Sequence, residues 1–300
     1  MFINTEHNEI YITGSSGFVG SSFLNQFKRE VTRVSSRGKE SNIDGAEVVI
    51  HLAGKAHDLK ITSATQEYYE VNTELTKKVF DAFLVSGANV FITLSSVKSA
   101  ADEVDGELTE QHQPNPITHY GKSKLLAEQY IFSKKIPEGK RVYVLRPCMI
   151  HGPGNKGNLN LLYKLVSKNI PWPLGAFENS RSFCSIDNLM FIFKELIERD
   201  DIPSGIYNVA DDEPLSTNEL IGLMAQSQNR KPKIWKIYRT LIEKISKIGD
   251  KLHLPLNSER LHKLTSSYVV SNAKIKTAIG KPLPVSSREG LLKTFKSFNS

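Results

Sequence analysis

Short apolar runs alternate with stretches of helical spacing through the first half of the chain. Residues 9–13 and 30–35 read as strands, with a helix over 19–29 between them. Val48-Val-Ile-His-Leu52 reads as a strand buried on both faces, within residues 47–53. Helical spacing returns over 73–86, with Gly87 placed as a C-cap. Residues 89–95 give a strand, 120–133 a helix and 141–146 a further strand. Strand and helix in turn predict an α/β fold, a doubly wound parallel sheet of Rossmann-like type with helices on both faces.

After Pro147 the pattern loosens. Gly, Asn and Pro cluster over residues 152–160, a helix follows over 159–167, and a strand over 205–210 could return to the sheet. The expected organisation is a dinucleotide-binding domain over 1–147, joined by 187–210. A smaller substrate lobe would be made of 148–186 and 211–300. Between Arg37 and Val48 there is no room for the helix and third strand that a doubly wound sheet of order 3-2-1-4-5-6 carries there. That edge strand is therefore expected to be shortened or missing, with residues 42–44 forming a remnant or a crossing loop.

The chain has 300 residues and a formal net charge of +7, a balance that suits anionic partners and also solubility. The two cysteines, Cys148 and Cys184, form no disulfide framework and no metal spacing, and Asp187 and Asp211-Asp-Glu213 likewise have none. No apolar run is long enough to cross a bilayer, and the N-terminus lacks the pattern of a signal peptide. A cytoplasmic protein is expected.

Chemistry enters with Thr13-Gly-Ser-Ser-Gly-Phe-Val-Gly20, placed between a strand and a helix. Gly14 suits a tight turn, Gly17 lets a pyrophosphate approach the backbone, and Gly20 lets helix pack on strand. Ser16, Phe18 and Val19 lie in the same turn, and the helix N-terminus offers unpaired N–H groups to an anion. The second strand ends in Ser35-Ser36-Arg37, without the acidic residue that would hold the ribose hydroxyls of NAD. Donors at that place suit a 2′-phosphate, so NADP(H) is expected, with NAD as the alternative.

Tyr120 and Lys124 stand four apart at the start of a helix and share a face. An ammonium near a phenol lowers its pKa and makes it a usable acid or base. Leu94-Ser95-Ser96-Val97 ends a strand, where a serine could hold a carbonyl or alkoxide oxygen.

Taken together, these residues resemble those of the extended short-chain dehydrogenases/reductases, in the branch of NAD(P)-dependent epimerases and dehydratases that act on nucleotide sugars. His51-Leu-Ala-Gly54, Asn72, Leu145-Arg-Pro147, His151-Gly-Pro-Gly154, Gly157-Asn158, Arg181-Ser-Phe183 and Tyr207-Asn-Val-Ala210 carry the resemblance almost to the C-terminus. The missing third strand is the departure from the pattern, and it bears on how adenine is held.

The resemblance implies hydride transfer with nicotinamide. Tyr120 would exchange a proton with the sugar oxygen, Lys124 would tune it and bind the nicotinamide ribose, and Ser96 rather than Ser95 would contact substrate. Leu52, Ala53 and Gly54 would lie at the cofactor, Lys55 could reach its phosphates, and Pro147 would abut the nicotinamide. Asn72 is expected to be a structural hydrogen-bonder. On the substrate side, Asn158 and Arg181 would hold the diphosphate of a UDP-sugar, with Arg260 a second candidate. Trp172 would line the uracil pocket or belong to the core. No nucleic acid partner is implied, and a homodimer is usual for the family.

Dehydratases of this branch place an Asp-Glu pair after the active-site hydroxyl, whereas this chain has Val97-Lys98. Two reactions remain. One is NADPH-dependent reduction of a C4 ketone, which the resemblance to bacterial reductases of the UDP-N-acetyl-quinovosamine type favours, in surface polysaccharide synthesis. The other is NAD-dependent 4-epimerisation of a UDP-hexose or N-acetylhexosamine. A dinucleotide-binding sensor without turnover is a third reading, against which the retained Tyr120 and Lys124 stand. Finally, residues 231–251 are basic and carry Ile234, Trp235, Ile237, Tyr238, Leu241, Ile242, Ile245 and Ile248. Such a composition is compatible with weak peripheral membrane contact. The resemblance places a packed lobe element there, and this is the preferred expectation.

Overall fold

The computed structural model describes residues 9–28, 31–34, 43–55, 65–155, 157–252 and 256–299. Ser35, Ser36 and Arg37, on which the expectation of NADP over NAD rests, lie outside the described residues.

Six parallel strands form the central sheet: β1 (Ile10–Thr13), β2 (Val31–Val34), β3 (Val48–His51), β4 (Val90–Leu94), β6 (Arg141–Pro147) and β9 (Gly205–Val209). Their spatial order is β2-β1-β3-β4-β6-β9, in parallel register throughout. Among the described residues no strand lies beyond β2, and residues 35–42, at the start of the segment where the edge strand is expected to be shortened or missing, lie outside them. The switch point of the winding is in place: the chain leaves β1 for β2 on one side and returns to β3 on the other. Ligands of open α/β sheets bind in that crevice, at the carboxyl ends of the strands. Ile43 and Ala46 are buried in the approach to β3 and form no strand.

Helices α1 (Phe18–Gln26), α2 (Thr65–Tyr69), α3 (Leu75–Val85), α4 (His119–Ser133) and α6 (Ile186–Glu198) cover the sheet. Ile10, Ile12, Ile50, Ile92 and Leu145 fill one side with α6, while Tyr11, Val49, Phe91 and Val144 meet α3 on the other. Alternate residues of each strand thus face opposite layers, which is why these strands read as continuous apolar runs.

Two corrections apply to the helix before β4. It begins at Thr65, not at residue 73, and a π-helical segment, Glu70–Glu74, joins α2 to α3. Its C-cap is Ser86 in an extended conformation, and Gly87 is not among the residues of positive φ. The hydroxyl of Ser86 donates to Phe83 O, a local bond that ends the helix without a left-handed glycine.

The remaining elements are β5 (Glu107–Leu108), β7 (Met149–His151), α5 (Asn158–Ser167), β8 (Phe183–Ser185), α7 (Thr217–Ser227), α8 (Arg239–Leu252), α9 (Ser258–Thr265), β10 (Val269–Val270), α10 (Ala273–Ile279) and α11 (Ser287–Lys296). A second apolar cluster joins Leu159, Tyr163, Phe183, Leu220, Met224, Ile242, Leu261 and Phe295. Trp172 is buried in it and its indole N–H donates to Asn218 Oδ1, so this tryptophan is core. Tyr268, Val270, Ile275 and Ile279 pack instead into the cluster beneath the central sheet. None of the described helices is long and apolar enough to cross a membrane.

Candidate active site

The glycine turn forms as its spacing predicts, but the three glycines are small for different reasons. Gly14 has φ +70°, and a Cβ on it would collide with Ala53 N and the Leu52 carbonyl. A Cβ on Gly20 would fall on the Gly14 carbonyl oxygen, so that residue permits α1 to pack on the turn. Gly17 is under no such constraint. Its φ of −75° suits any residue, and the nearest atom to an added Cβ would be 3.4 Å away, an ordinary contact. Gly17 is the N-cap of α1, makes no side-chain cap, and no acidic residue occupies the first turn. An open, uncapped helix N-terminus flanked by backbone alone fits a pyrophosphate. Ser16 is exposed at this turn, with Phe18 and Val19 half-buried behind it.

The turn after β3 is tied to the same place. Leu52 N donates to Thr13 O (3.2 Å) and Ala53 N to Thr13 Oγ1 (3.2 Å). Buried His51 sits behind them, with Nδ1 2.7 Å from Thr13 Oγ1 and Nε2 3.0 Å from Thr76 Oγ1. Thr76 gives its own proton to Asn72 O, so it accepts from His51 Nε2–H, and Nδ1 accepts from Thr13. Burial, with a smaller push from Lys124, lowers the imidazole pKa to about 3 and keeps it neutral.

Asn72 occupies the π-helical segment. It accepts from Lys55 N (2.8 Å) and donates to Lys55 O (3.1 Å) and Ser123 Oγ (3.1 Å). It thus clamps the turn carrying Gly54 to α4, in the structural role expected of it. A Cβ on Gly54 would stand 3.1 Å from Lys124 Nζ. The Lys55 ammonium is paired with Glu67 at 2.5 Å, which draws it to α2.

Ser96 caps the short 3-10 turn Val97–Ser99 by accepting from Lys98 N (3.2 Å). Thr118 caps α4 by accepting from Gly121 N (3.2 Å), and Asp102 accepts from Ile117 N (2.7 Å) and Thr118 N (3.2 Å). A Cβ on Gly121 would collide with Lys98 O. This glycine lets the start of α4 lie on the turn after Ser96, so it brings Tyr120 to Ser96. The motif reading missed it, although the Gly directly after Tyr120 was the available signal.

Tyr120 hydrogen-bonds Ser96. Burial pushes the phenol pKa up, the Ser96 bond opposes this, and Tyr68 adds to the rise. The phenol pKa is thus raised, where the sequence led to the expectation of a lowered one. The Lys124 ammonium donates to Leu94 O (2.9 Å) and is itself depressed to about 8, by burial first, with Glu128 pulling it back up. Pro147 ends β6 in the buried interior.

Beneath these groups lies a buried network that the sequence reading did not find. Glu128 accepts from Ser95, from Ser99 Oγ (2.7 Å) and from Arg146 through Nε (3.0 Å) and a second guanidinium nitrogen. Both charged side chains are almost fully buried. Ser95 is thereby committed to the interior.

On the outer side, Lys98 Nζ donates to Asp102 O (2.6 Å) and lies 4.3 Å from the centre of the Tyr268 ring. Its pKa is lowered by burial first. Arg181 and Lys263 push it further down, while Asp102 and Glu103 push it up. Arg181 donates to Lys263 O at 2.5 Å, and burial lowers its pKa as well. Lys98, Arg181 and Lys263 therefore lie together beside Ser96, with the carboxylates of Asp102 and Glu103 near Lys98 and that of Glu259 2.5 Å from Lys263. Arg260 is exposed in the first turn of α9, beside Glu259. Asn158 is the first residue of α5, whose N-cap Gly157 makes no side-chain cap. Among the described residues no group of His, Cys, Asp or Glu could hold a metal ion.

The family model for NAD dependent epimerases and dehydratases matches residues 10–210, from β1 through β9. The chain belongs to the NAD dependent epimerase/dehydratase family. Among relatives, the UDP-glucose 4-epimerase of Vibrio cholerae is 28% identical over 331 residues, covering 96% of this chain and 95% of its own. The N-acetyl-alpha-D-glucosaminyl-diphospho-ditrans,octacis-undecaprenol 4-epimerase of Escherichia coli O157:H7 is 27% identical over 248 residues, covering 75% and 74%. Among solved structures, RMD from Pseudomonas aeruginosa complexed with NADPH superposes with a TM-score of 0.71 at 20% identity, over 97% of this chain and 98% of that one. Membership makes the protein an NAD(P)-dependent enzyme, and the open helix N-terminus at Gly17 has a geometry that fits a dinucleotide pyrophosphate.

Proposed function

We propose that this protein is a 4-keto reductase. Its substrate is a UDP-4-keto-6-deoxy-N-acetylhexosamine and its cofactor NADPH, in the synthesis of surface polysaccharide. The observation that carries this reading is the Tyr120 phenol hydrogen-bonded to Ser96 at the end of β4, with burial raising its pKa above the ordinary value. Reduction of a ketone needs a proton donor at its oxygen, and a phenol of raised pKa starts in the form that can give one.

In this reading Gly14, Gly17, Gly20 and the N-terminus of α1 hold the dinucleotide pyrophosphate, while Ala53 and Gly54 line its ribose. When bound, the cofactor supplies a hydride. Ser96 and Tyr120 grip the C4 oxygen of the substrate, and Tyr120 gives it a proton as negative charge develops there. The resulting phenolate is stabilised by the Ser96 hydroxyl and refilled from solvent. The Lys124 ammonium, held by Leu94 O, is oriented toward the Gly54 turn and the cofactor ribose. Lys98, Arg181 and Lys263 hold the UDP diphosphate, and guanidinium suits that task because its fork matches phosphate oxygens. Val97 and Lys98 in place of a carboxylate pair support reduction over elimination of water.

The two epimerase relatives favour one further reading, 4-epimerisation of a UDP-hexose or N-acetylhexosamine. That reaction starts with removal of a hydroxyl proton, so Tyr120 must first be a phenolate. The experiment offers the purified protein a UDP-4-keto-6-deoxy-N-acetylhexosamine with NADPH and, separately, UDP-N-acetylglucosamine with catalytic NAD. Stoichiometric NADPH oxidation with the keto sugar is the expected result. Interconversion of C4 epimers without net cofactor consumption would replace the proposal with the epimerase reading.

A further inference from the structure

Helix α8 has an outer face that nothing in the candidate active site uses. Its inner face is fixed: Ile242 joins the lobe cluster, Ser246 is buried, and a Cβ on Gly249 would collide with Leu256 O. Asp250 accepts from Ser258 N (2.9 Å) and Ser258 Oγ (2.5 Å), which ties the helix to α9. At its start, Arg239 Nε donates to Ala176 O (2.8 Å), and Trp235 N donates to Trp172 O (2.8 Å). The expectation of a packed lobe element therefore describes this inner face.

One flank of the helix, about a quarter turn from that inner face, is apolar and open. Tyr238, Leu241, Ile245, Ile248 and Leu252 follow one another at steps of three and four, so they form one stripe. Tyr238 is 82% exposed, Leu252 64% and the neighbouring Trp235 57%, while Leu241, Ile245 and Ile248 are about half exposed.

Charge is sorted around that stripe. At about 100° per residue, Leu241, Ile245, Ile248 and Leu252 lie within roughly 60° of one another. Lys244, Lys247 and Lys251 occupy the next sector, on the side away from the protein core. Both acidic residues of the helix, Glu243 and Asp250, fall about opposite the stripe. Lys231, Lys233 and Lys236 lie just before the helix and raise the positive charge there.

We propose that α8 is a docking surface for an anionic bilayer. The apolar stripe with Trp235 and Tyr238 enters the headgroup–acyl boundary, and Lys244, Lys247 and Lys251 engage acidic headgroups beside it. This is the arrangement of helices that lie in a membrane interface: an apolar face, aromatic residues at its edge and lysines along its polar flank. A second copy of the chain is the poorer occupant. Pairing two such stripes would bring two rows of lysines to the seam, with the carboxylates on the far sides. The proposal does not depend on which reaction the active site performs.

The chain contains two tryptophans, buried Trp172 and exposed Trp235, so its fluorescence reports on this face. The test mixes the full-length protein with vesicles of phosphatidylcholine alone and with vesicles containing phosphatidylglycerol. Expected are flotation with the anionic vesicles only, a blue shift of tryptophan emission on binding, and loss of both at high salt. Trp235→Phe should abolish the shift while leaving flotation. Leu241→Asp with Ile248→Asp, and separately Lys244→Glu with Lys247→Glu and Lys251→Glu, should each cut vesicle binding at least tenfold. Their thermal melts should match the parent, because these side chains face outward. No flotation on anionic vesicles, equal binding by the Asp variants, or concentration-dependent dimerisation through this face without vesicle binding would each overturn the proposal.

Discussion

Ser95 and Ser96 are neighbours in sequence, yet their hydroxyls serve opposite sides of the site. Ser95 donates to the buried Glu128 carboxylate, whereas Ser96 meets the Tyr120 phenol. Alternation along an extended chain sends successive side chains to opposite faces, and here it separates a support from a reacting group.

That separation predicts two different phenotypes. Ser96→Ala should lower kcat by about tenfold to a hundredfold, since it removes a group at the reacting oxygen, with about 1 kcal/mol of stability lost with its cap on the turn Val97–Ser99. Ser95→Ala should act on stability instead, by about 1–2 kcal/mol, because Glu128 loses one of its buried donors. Denaturant unfolding and steady-state rates on both variants check this. A stability loss confined to Ser96→Ala would reverse the assignment.

Tyr120→Phe removes the proton donor and keeps the ring. Turnover should fall by about 10²–10⁴-fold while dinucleotide affinity stays within about twofold. Fluorescence titration with NADPH and initial rates with sugar substrate measure both. Unchanged turnover would remove Tyr120 from the chemistry.

The parts of the site legible in the sequence are those that local backbone geometry encodes. Gly14 and Gly20 are required by collisions within one turn, and Tyr120 and Lys124 share a helical face by spacing alone. The parts not legible depend on distant partners. Glu128 reads as an ordinary polar helical residue, and only its partners elsewhere in the chain, Arg146, Ser95 and Ser99, explain its burial. The π-helical segment is invisible for a similar reason. Asn72 is held there by Lys55, seventeen residues earlier, and by Ser123, on another helix. The helix before β4 starts at Thr65, ahead of the helical spacing over residues 73–86. Spacing puts Lys124 on the helical face of Tyr120, whereas the bond from its ammonium to the Leu94 carbonyl depends on a residue thirty positions earlier.

Gly17 and Gly20 offer a direct comparison of ligand and fold requirements. Gly17→Ala places a methyl where only ordinary contacts occur, so stability should change by no more than about 1 kcal/mol. Dinucleotide affinity should fall at least tenfold, since that methyl occupies the approach to the helix N-terminus. Gly20→Ala forces a Cβ onto backbone and should cost about 1–3 kcal/mol. Thermal melts with and without NADPH separate the two effects. Normal NADPH affinity in Gly17→Ala would show that the phosphates lie elsewhere.

Arg181 and Lys98 test the cluster of cations beside Ser96. Arg181→Ala should raise KM for a UDP-sugar by about tenfold or more, with a smaller effect on kcat, as expected for loss of binding common to ground and transition states. Removing Arg181 also removes a cation that depresses the Lys98 pKa, which should then rise toward its ordinary value. Competition by free UDP measures the first effect, and a Lys98-directed acylation rate against pH measures the second. Equal UDP affinity in parent and variant would exclude Arg181 from the diphosphate site.

His51 gives the protein an acid limb to its stability. Its pKa is about 3 in the folded protein, against about 6.5 when exposed, so the unfolded chain binds the extra proton first as pH falls. The stability of the neutral form is complete above about pH 6.5 and is lost as pH drops toward 3. This single group contributes at most about 1.4 kcal/mol per pH unit in that window. Protonation would also break the bond from Thr13 to Nδ1, the same hydroxyl that holds Ala53 N at the cofactor turn. His51→Gln retains one acceptor and one donor but cannot titrate. Urea unfolding between pH 7 and pH 4 should show a shallower decline for the variant, whatever its absolute stability. Parallel pH profiles for the two proteins would assign the acid limb to other groups.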